Sequence, residues 1–453
     1  MRCILKTLVF VLIGCVWLST GYGQIKKKKK KKEKNKNLET KIVVSKRENG
    51  AFALGKPLKF SYQIRNKTYG PISAVIYCNI AHLQPRKFLK SKVRKVWIPA
   101  RKTIKVDFQY FAPSPDFYLV SCGAKNYTGW LSNDYFVLGY AVDKLRTSLS
   151  KKQDFDLFWK NSLRQLRQVR PQFKMYKRPQ LCTRDYNVYL VEMRSLDNMK
   201  IKGWYRVPKR SGKHPVIVQF PSLGGSFFNV QSLKKRPRYG VPTDFAVLSL
   251  NIRGHGNSKS VIKPKEDYMD FLTYNLKNHQ NYIYKGAVMD CIRALDFLQT
   301  RPEIDRNRIA VEGASQGGGL SLITTALDSR VAVCAPDVPF LCDMTRLLKI
   351  VSNMKKAIDK YIKRNRGLSW WKVRQNLSYF DTKNFADYIK VPILMSVGLQ
   401  DLTCPPLTCF ATFNRIKSPK AYYVYPYGRH DGGGKKHRRF KFTWIRKQFG
   451  MAK

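Results

Sequence analysis

The feature that most constrains the fold is a set of five short apolar runs in the second part of the chain. The runs are PVIVQF, FAVLSLNI, RIAVEG, VAVCAP and PILMSV. Runs of this kind are typical of strands that are buried on both faces. Helical stretches lie between them; Ala287, Cys291, Leu295 and Leu298, for example, share one stripe of a helix. The alternation predicts an α/β fold with a mostly parallel sheet over residues 145–453.

A different pattern fills residues 41–143. Leu58, Phe60, Tyr62 and Ile64 alternate with polar residues, which is the period of a strand with one buried face. Turn signals such as APSPD separate several runs of this kind. The pattern predicts a small immunoglobulin-like β-sandwich in front of the α/β part.

The cysteines bear on two features, a possible disulfide and a possible metal or redox site. Cys78 and Cys122 both fall in the predicted sandwich, where they are either a disulfide of an exported chain or two buried small hydrophobic residues. No two cysteines have the C-x-x-C spacing of a zinc or redox site. The sequence therefore predicts neither a metal nor a cofactor.

The N-terminus predicts export to the periplasm or the extracellular space. Residues 1–23 combine a basic start, an apolar run and small residues, as in a secretory signal peptide, and residues 24–40 form a lysine-rich linker. Cleavage is expected near Gly23. A bacterial lipobox ending at Cys15 is the less favoured alternative, because apolar residues continue past it.

The charge of the chain is strongly positive. Lysine and arginine total 86 against 29 acidic residues, which gives a formal net charge of +57. After a signal peptide, the expected polyanion is an acidic glycan or an anionic membrane surface rather than nucleic acid. A general bias toward lysine on the surface explains the charge without any such partner and is the favoured interpretation.

A serine flanked by glycines directly follows the run RIAVEG, in the sequence GASQG with Ser315 at its centre. In an α/β sheet, a G-x-S-x-G turn between a strand and a helix holds a nucleophilic serine. A small-residue turn without any chemistry is the alternative. The turn predicts a catalytic nucleophile only if a base and an acid accompany it.

A nucleophilic serine needs a histidine base and a carboxylate that orients the histidine, and in this fold they follow in the order serine, acid, histidine. Of the two histidines after Ser315, His437 lies among lysines and arginines in what looks like an exposed helix start. His430 lies in a loop after an apolar strand and is the predicted base. Asp401 follows the run PILMSV, where catalytic loops emerge, and is the predicted acid; capping of a turn is its alternative role.

The oxyanion hole requires two backbone N–H groups. The residue after the nucleophile, Gln316, supplies the first, and Leu223 in the sequence PSLGG is the predicted second donor. The nearby sequence RGHG, which contains Arg253 and His255, is expected to brace the site. His255 is not expected to be the base because it precedes Ser315.

Together, these residues resemble the acetyl xylan esterase and cephalosporin-C deacetylase family of carbohydrate esterases. The resemblance covers about Phe155 to Phe449 and rests on the blocks RGHG, GASQGGG, PDVPFLCD, LSYFDTKNFA, GLQDLTCPP and YPYGRHD. It implies an α/β-hydrolase fold, with Ser315, Asp401 and His430 as a catalytic triad. It also implies that the backbone of Gln316 forms half of the oxyanion hole.

Two departures from the family pattern affect what the resemblance implies. The family commonly has an H-G-Y turn where this chain has Pro221-Ser222-Leu223, so its usual contacts with the acyl group are not carried over. The family's hexameric ring is also in question because a basic β-sandwich precedes the hydrolase part, and a homo-oligomer stays open.

The resulting expectation is a secreted serine esterase that removes acetyl groups from acetylated poly- or oligosaccharides of the xylan type through an acetyl-serine intermediate. Two alternatives remain. One is a serine peptidase of the same fold, since a triad does not distinguish an ester from an amide. The other is a basic glycan-binding protein whose hydrolase domain is vestigial.

Overall fold

The computed structural model describes residues 37–45, 49–223, 241–261 and 268–451. The predicted signal peptide, Cys15 and most of the predicted linker lie outside these residues. The first strand begins at Leu38, inside the segment predicted to be the end of the linker.

The N-terminal part consists of strands joined by short turns. The strands are β1 (Leu38–Val43), β2 (Ala51–Phe52), β3 (Leu58–Asn66), β4 (Ile72–His82), β5 (Phe88–Ile98), β6 (Thr103–Tyr110), β7 (Asp116–Asn126) and β8 (Gly129–Tyr140). They form a three-stranded sheet in the order β1-β3-β6 and a five-stranded sheet in the order β2-β8-β7-β4-β5. Neighbouring strands are antiparallel, except that β2 runs parallel to β8.

Side chains from both sheets fill one common core. Phe60 and Tyr62 of β3 and Ile76 and Val120 of the larger sheet belong to it. Because every second residue of a strand points to the same face, the alternation in the sequence places these residues inside. The N-terminal strands therefore form a β-sandwich, as the sequence predicts.

A disulfide joins Cys78 and Cys122 within this core. The two residues lie directly opposite each other on the antiparallel strands β4 and β7, and both are buried. The register between these strands brings the two thiols together, and the sequence alone does not give that register.

The second part alternates strands and helices. Its strands are β9 (Lys174–Lys177), β10 (Tyr186–Arg194), β11 (Lys200–Pro208), β12 (His214–Phe220), β13 (Ala246–Asn251), β14 (Ile304–Ala314), β15 (Val333–Asp337), β16 (Ile393–Gly398) and β17 (Lys420–Tyr425). Its α-helices are α1 (Phe155–Gln168), α2 (Tyr268–Thr273), α3 (Ile283–Gln299), α4 (Gln316–Leu327), α5 (Met344–Ile350), α6 (Ser352–Arg364), α7 (Trp370–Ser378), α8 (Pro406–Phe413) and α9 (Gly434–Gln448).

The nine strands form one sheet in the order β17-β16-β15-β14-β12-β13-β11-β10-β9. The six strands from β12 to β17 are parallel to their neighbours within that group, and β9, β10 and β11 pair antiparallel. Five of the six parallel strands are the five apolar runs of the sequence. The predicted α/β class with a mostly parallel sheet is confirmed.

The sandwich packs directly against the α/β part. The ring centroids of Phe117 on β7 and Phe410 on α8 lie 5.7 Å apart. Leu119 and Val137, which also come from the sandwich, belong to the apolar core of the α/β part. Within the described ranges, no helix combines the length and the hydropathy of a membrane-spanning segment.

Candidate active site

The turn between β14 and α4 holds Ser315 in a conformation that L-residues rarely adopt. Its φ is 58° and its ψ is −119°. A Cβ atom on Gly313 would lie 2.6 Å from the carbonyl carbon of Gly317, and one on Gly317 would lie 2.2 Å from the backbone oxygen of Phe220. The glycines are thus required by backbone packing. A strained serine between such glycines has the geometry of a nucleophile elbow.

Main-chain hydrogen bonds fix the position of Ser315. Its N–H donates to the carbonyl oxygen of Asp337 (2.9 Å), and its own carbonyl accepts from the N–H of Phe340 (2.8 Å). The side-chain Oγ lies 4.0 Å from the Sγ of Cys404. Burial raises the pKa of the Cys404 thiol well above its usual value, and nearby Asp401 adds to the effect, so this neighbour is a neutral thiol.

Asp401 lies in the turn that follows β16, and its carboxylate is fully buried. Oδ1 accepts hydrogen bonds from the N–H groups of Thr403 (2.8 Å) and Cys404 (3.0 Å). Oδ2 lies 2.8 Å from Nδ1 of His430. Asp401 therefore caps its own turn. Its contact with His430 supports the role of orienting the base, which stays a prediction.

His430 lies in the loop after β17, and about a third of its side chain is exposed. Because Nδ1 faces Asp401, Nε2 is the nitrogen left to accept a proton. The loop is held close to the Asp401 turn: the N–H of Gln400 donates to the carbonyl of Gly428 (2.9 Å). A Cβ atom on Gly398 would lie 2.2 Å from the backbone oxygen of Arg429.

Ser315, Asp401 and His430 thus lie in one site at the carboxyl ends of β14, β16 and β17. Within the described residues, Ser315 Oγ makes no hydrogen bond to His430. Hydrogen bonds between a nucleophile and its base often tighten only in the complex with substrate. The triad roles of Ser315, Asp401 and His430 stay a prediction that this arrangement supports.

The predicted oxyanion donors flank the serine. Gln316 is the first residue of α4, so its N–H has no acceptor within the helix. The segment that ends at Leu223 lies against the same turn: Ser222 Oγ donates to the carbonyl of Ala314 (2.8 Å), and Gln316 Nε2 donates to the carbonyl of Pro221 (3.2 Å). Leu223 is the last residue described before the gap at 224–240. Its role as second donor stays a prediction.

The side chain of Gln316 is braced from behind. Its Oε1 accepts from the Tyr284 hydroxyl (2.9 Å), and its Nε2 lies 3.0 Å from Nε2 of His255. Burial lowers the pKa of His255 to about 4, so the ring is neutral at pH 7 and can accept from the amide. Arg253 forms a buried ion pair with Asp290 instead (2.8 Å). The contact between His255 and Gln316 supports the prediction that RGHG braces the site.

A buried ionic cluster lies beside the turn, and the sequence did not reveal it. The ammonium group of Lys441 on α9 lies 2.6 Å from a carboxylate oxygen of both Glu312 and Asp337. Asp337 is also the residue whose backbone accepts from Ser315. An acid inside the apolar run RIAVEG was a usable signal for Glu312, whereas Lys441 is one lysine among many in a basic chain.

The prediction that His437 lies in an exposed helix start is wrong. Its side chain is 1% exposed. Nε2 lies 3.1 Å from Oδ1 of Asp337, and Nδ1 lies 3.0 Å from the Tyr425 hydroxyl. Basic neighbours at 435, 436, 438 and 439 suggested exposure, but the face of α9 that carries His437 and Lys441 turns inward against the sheet.

Among the described residues, no group of three or more His, Cys, Asp or Glu side chains is arranged to hold a metal ion. The groups that converge on the site are a hydroxyl, an imidazole, a carboxylate and backbone N–H donors. This set can carry out acyl transfer through a serine.

Comparison with known proteins gives the family. The family model for acetyl xylan esterase (AXE1) matches residues 140–448. The acetyl esterase Axe7A of Xylanibacter ruminicola is 30% identical over 301 residues, which cover 65% of this chain and 66% of the length of Axe7A.

Two solved structures are similar over nearly their whole length. The acetyl xylan esterase from Paenibacillus sp. R4 is 32% identical with a TM-score of 0.62, and the match covers 68% of this chain and 98% of that one. Acetyl xylan esterase 1 from Thermoanaerobacterium sp. JW/SL YS485 is 27% identical with a TM-score of 0.59, at the same coverage. Since the family model spans well over half of the residues, the chain belongs to the acetyl xylan esterase family of carboxylic ester hydrolases.

Proposed function

We propose that the protein is a secreted serine esterase that removes acetyl groups from acetylated poly- or oligosaccharides of the xylan type. The observation that carries the proposal is the hydrogen bond between His430 and the buried Asp401, in the same site as Ser315 on its strained turn. The similar proteins are named acetyl esterase or acetyl xylan esterase.

In the proposed first half-reaction, Ser315 Oγ attacks the acetyl carbonyl carbon while Nε2 of His430 takes the hydroxyl proton. Asp401 holds the ring with Nδ1 protonated and stabilises the imidazolium. The N–H groups of Gln316 and Leu223 donate to the oxyanion. The C–O bond to the sugar then breaks, and His430 returns the proton to the sugar oxygen, which leaves an acetyl-serine.

The second half-reaction uses water in place of the serine hydroxyl. His430 takes a proton from water, the hydroxide attacks the acetyl carbonyl, and the bond to Ser315 Oγ breaks as that oxygen regains a proton. Acetate is released. These steps use only side chains, backbone groups and water.

Secretion is part of the proposal. The Cys78–Cys122 disulfide supports it, because disulfides persist mainly in oxidising compartments outside the cytosol. Mass spectrometry of the N-terminus of protein recovered outside the cytoplasm tests this directly. A mature chain that begins near Gln24 is expected; a lipid-modified cysteine at position 15 or an intact Met1 would contradict it.

The substrate is tested by acetate release from a panel of acetylated xylan, acetylated mannan, acetylated pectin and cephalosporin C. Acetylated xylan is the expected best substrate of the panel. Short peptide amides belong in the same experiment, because their turnover at rates near those for acetyl esters would favour a peptidase. Binding of the polysaccharides without any acetate release would favour a glycan-binding protein.

A further inference from the structure

One face of the five-stranded sheet in the sandwich carries a cluster of large aromatic side chains. Residues that lie directly opposite each other in an antiparallel ladder point to the same side of the sheet. Trp130 lies opposite Lys125, and Tyr135 lies opposite Ser121, which is four residues from Lys125 and therefore on the same side of β7. We define the aromatic face by six residues: Tyr77, Lys95, Trp97, Lys125, Trp130 and Tyr135.

Three of the four rings of the aromatic face are exposed to solvent, and the fourth, Tyr77, is half-buried. Trp97 is 62% exposed, Trp130 is 61% exposed and Tyr135 is 44% exposed. Several large rings on one exposed surface are a feature of binding sites, whereas large rings that are exposed singly are common and need no function. The other end of the same sheet face, at Leu119 and Val137, is covered by the α/β part.

A glycine in the sheet leaves room for the ring of Trp130. Trp130 lies over Gly123, where an added Cβ atom would come within 2.8 Å of the indole. The indole also packs against Tyr77, with ring centroids 5.5 Å apart and planes tilted by 56°. A ring that is held in place before binding loses little conformational freedom when a ligand stacks on it.

The charges on this face have one sign. Lys95 and Lys125 both lie opposite Val75, on either side of it, in the same row as Trp130. Asp134, the acid nearest in β8, points into the sandwich and accepts from Tyr62 (2.8 Å). No position on this side of the described strands β4, β5, β7 and β8 holds an acid. A second copy of the face would set lysine against lysine and is disfavoured.

We propose that the aromatic face binds a polysaccharide that carries uronic acid carboxylates. Sugar rings stack through their C–H faces on Trp130 and Trp97, and carboxylates pair with Lys95 and Lys125. A neutral glycan would use only the rings, and an unspecific polyanion would use only the lysines. The site is separate from Ser315, so its existence does not depend on the proposed esterase activity.

The test is affinity electrophoresis of the full mature protein in gels that contain deacetylated glucuronoxylan, with neutral arabinoxylan in parallel. Deacetylated polymer keeps the measurement independent of turnover. Retardation by glucuronoxylan is expected to weaken about tenfold for Trp130→Ala, and similarly for the double change Lys95→Gln with Lys125→Gln. Hydrolysis of 4-nitrophenyl acetate is expected to stay unchanged in both variants.

Matched controls separate the site from general surface effects. Trp371→Ala removes an indole that is equally exposed, at 62%, but lies on α7. The pair Lys209→Gln with Lys213→Gln removes the same charge from an exposed turn of the α/β part. Both controls are expected to bind like the unchanged protein. The proposal would be overturned if the control changes weakened binding to glucuronoxylan as much as the changes in the aromatic face. It would also be overturned if arabinoxylan retarded the protein as much as glucuronoxylan, or if duplex DNA competed as well as free glucuronoxylan.

Discussion

The side-chain amide of Gln400 pairs with the main chain of Val137. The N–H of Val137 donates to Oε1 of Gln400 (2.9 Å), and Nε2 of Gln400 donates to the carbonyl of Val137 (3.2 Å). The same Nε2 also donates to the carbonyl of Pro426 (2.8 Å), in the loop that leads to His430. Since Gln400 directly precedes Asp401, one side chain connects the β-sandwich to both loops of the predicted acid and base.

This connection predicts that Gln400→Ala lowers kcat on an acetyl ester by about tenfold while KM changes little, because the loops lose a common anchor and the acid–base pair shifts. Three hydrogen bonds are lost, so the free energy of unfolding should also fall by about 1–3 kcal/mol. Gln109→Ala, on an exposed part of the sandwich, is the control. An unchanged kcat in a correspondingly destabilised Gln400 variant would show that the anchor has no positioning role.

The buried ion cluster predicts a large loss of stability for Lys441→Met. Burial works against ionisation of Asp337, but attraction to Lys441 and His437 outweighs it and holds the pKa of Asp337 well below its usual range. Without Lys441, Glu312 and Asp337 remain buried without that counter-charge, which costs about 3–5 kcal/mol. Urea unfolding measures the loss of stability, and Lys447→Met, at an exposed position on the same helix, is the control. A loss below about 1 kcal/mol would argue against the cluster.

The buried His255 should make the free energy of unfolding fall as the pH is lowered. Its pKa is about 4 in the folded chain, against about 6.5 for a free imidazole, because burial disfavours the charged form. The unfolded chain therefore binds more protons between these values. The stabilising contribution is present above pH 6.5, is lost as the pH falls toward 4, and amounts to about 3 kcal/mol.

Comparison with His255→Asn isolates this contribution. The variant should be less stable at pH 7, where it lacks the contact with Gln316, and the difference from the unchanged protein should narrow toward pH 4. Urea unfolding at several pH values measures it. A difference that stays constant from pH 7 to pH 4 would mean that His255 does not titrate in this window.

Much of the fold and of the candidate site could be predicted because the signals are local. The apolar runs have the length of buried strands, and Ser315 and Asp401 each follow such a run within a few residues. His430 follows β17, most of whose residues are exposed. The meeting of these three residues at one end of the sheet follows from parallel strand order, since the carboxyl ends of parallel strands lie at the same edge.

What could not be predicted depends on contacts between distant segments. Gln400 and Val137 are 263 residues apart, and nothing near either residue signals the other. The disulfide between Cys78 and Cys122 was one of two alternatives, and the strand register that decides between them is not revealed by the turn sequences. The basic neighbours of His437 in the sequence predict an exposed position. Its burial instead depends on Asp337, which lies on the sheet beneath it and is distant in the sequence.

Hydrolysis of 4-nitrophenyl acetate by Ser315→Ala tests whether Ser315 is the nucleophile of an acetyl esterase. The change removes one oxygen and leaves the apolar core intact, so the unfolding midpoint should stay close to that of the unchanged protein. We expect kcat to fall by at least about 10³-fold. A folded variant that retains more than about a few per cent of the activity would show that Ser315 is not the nucleophile.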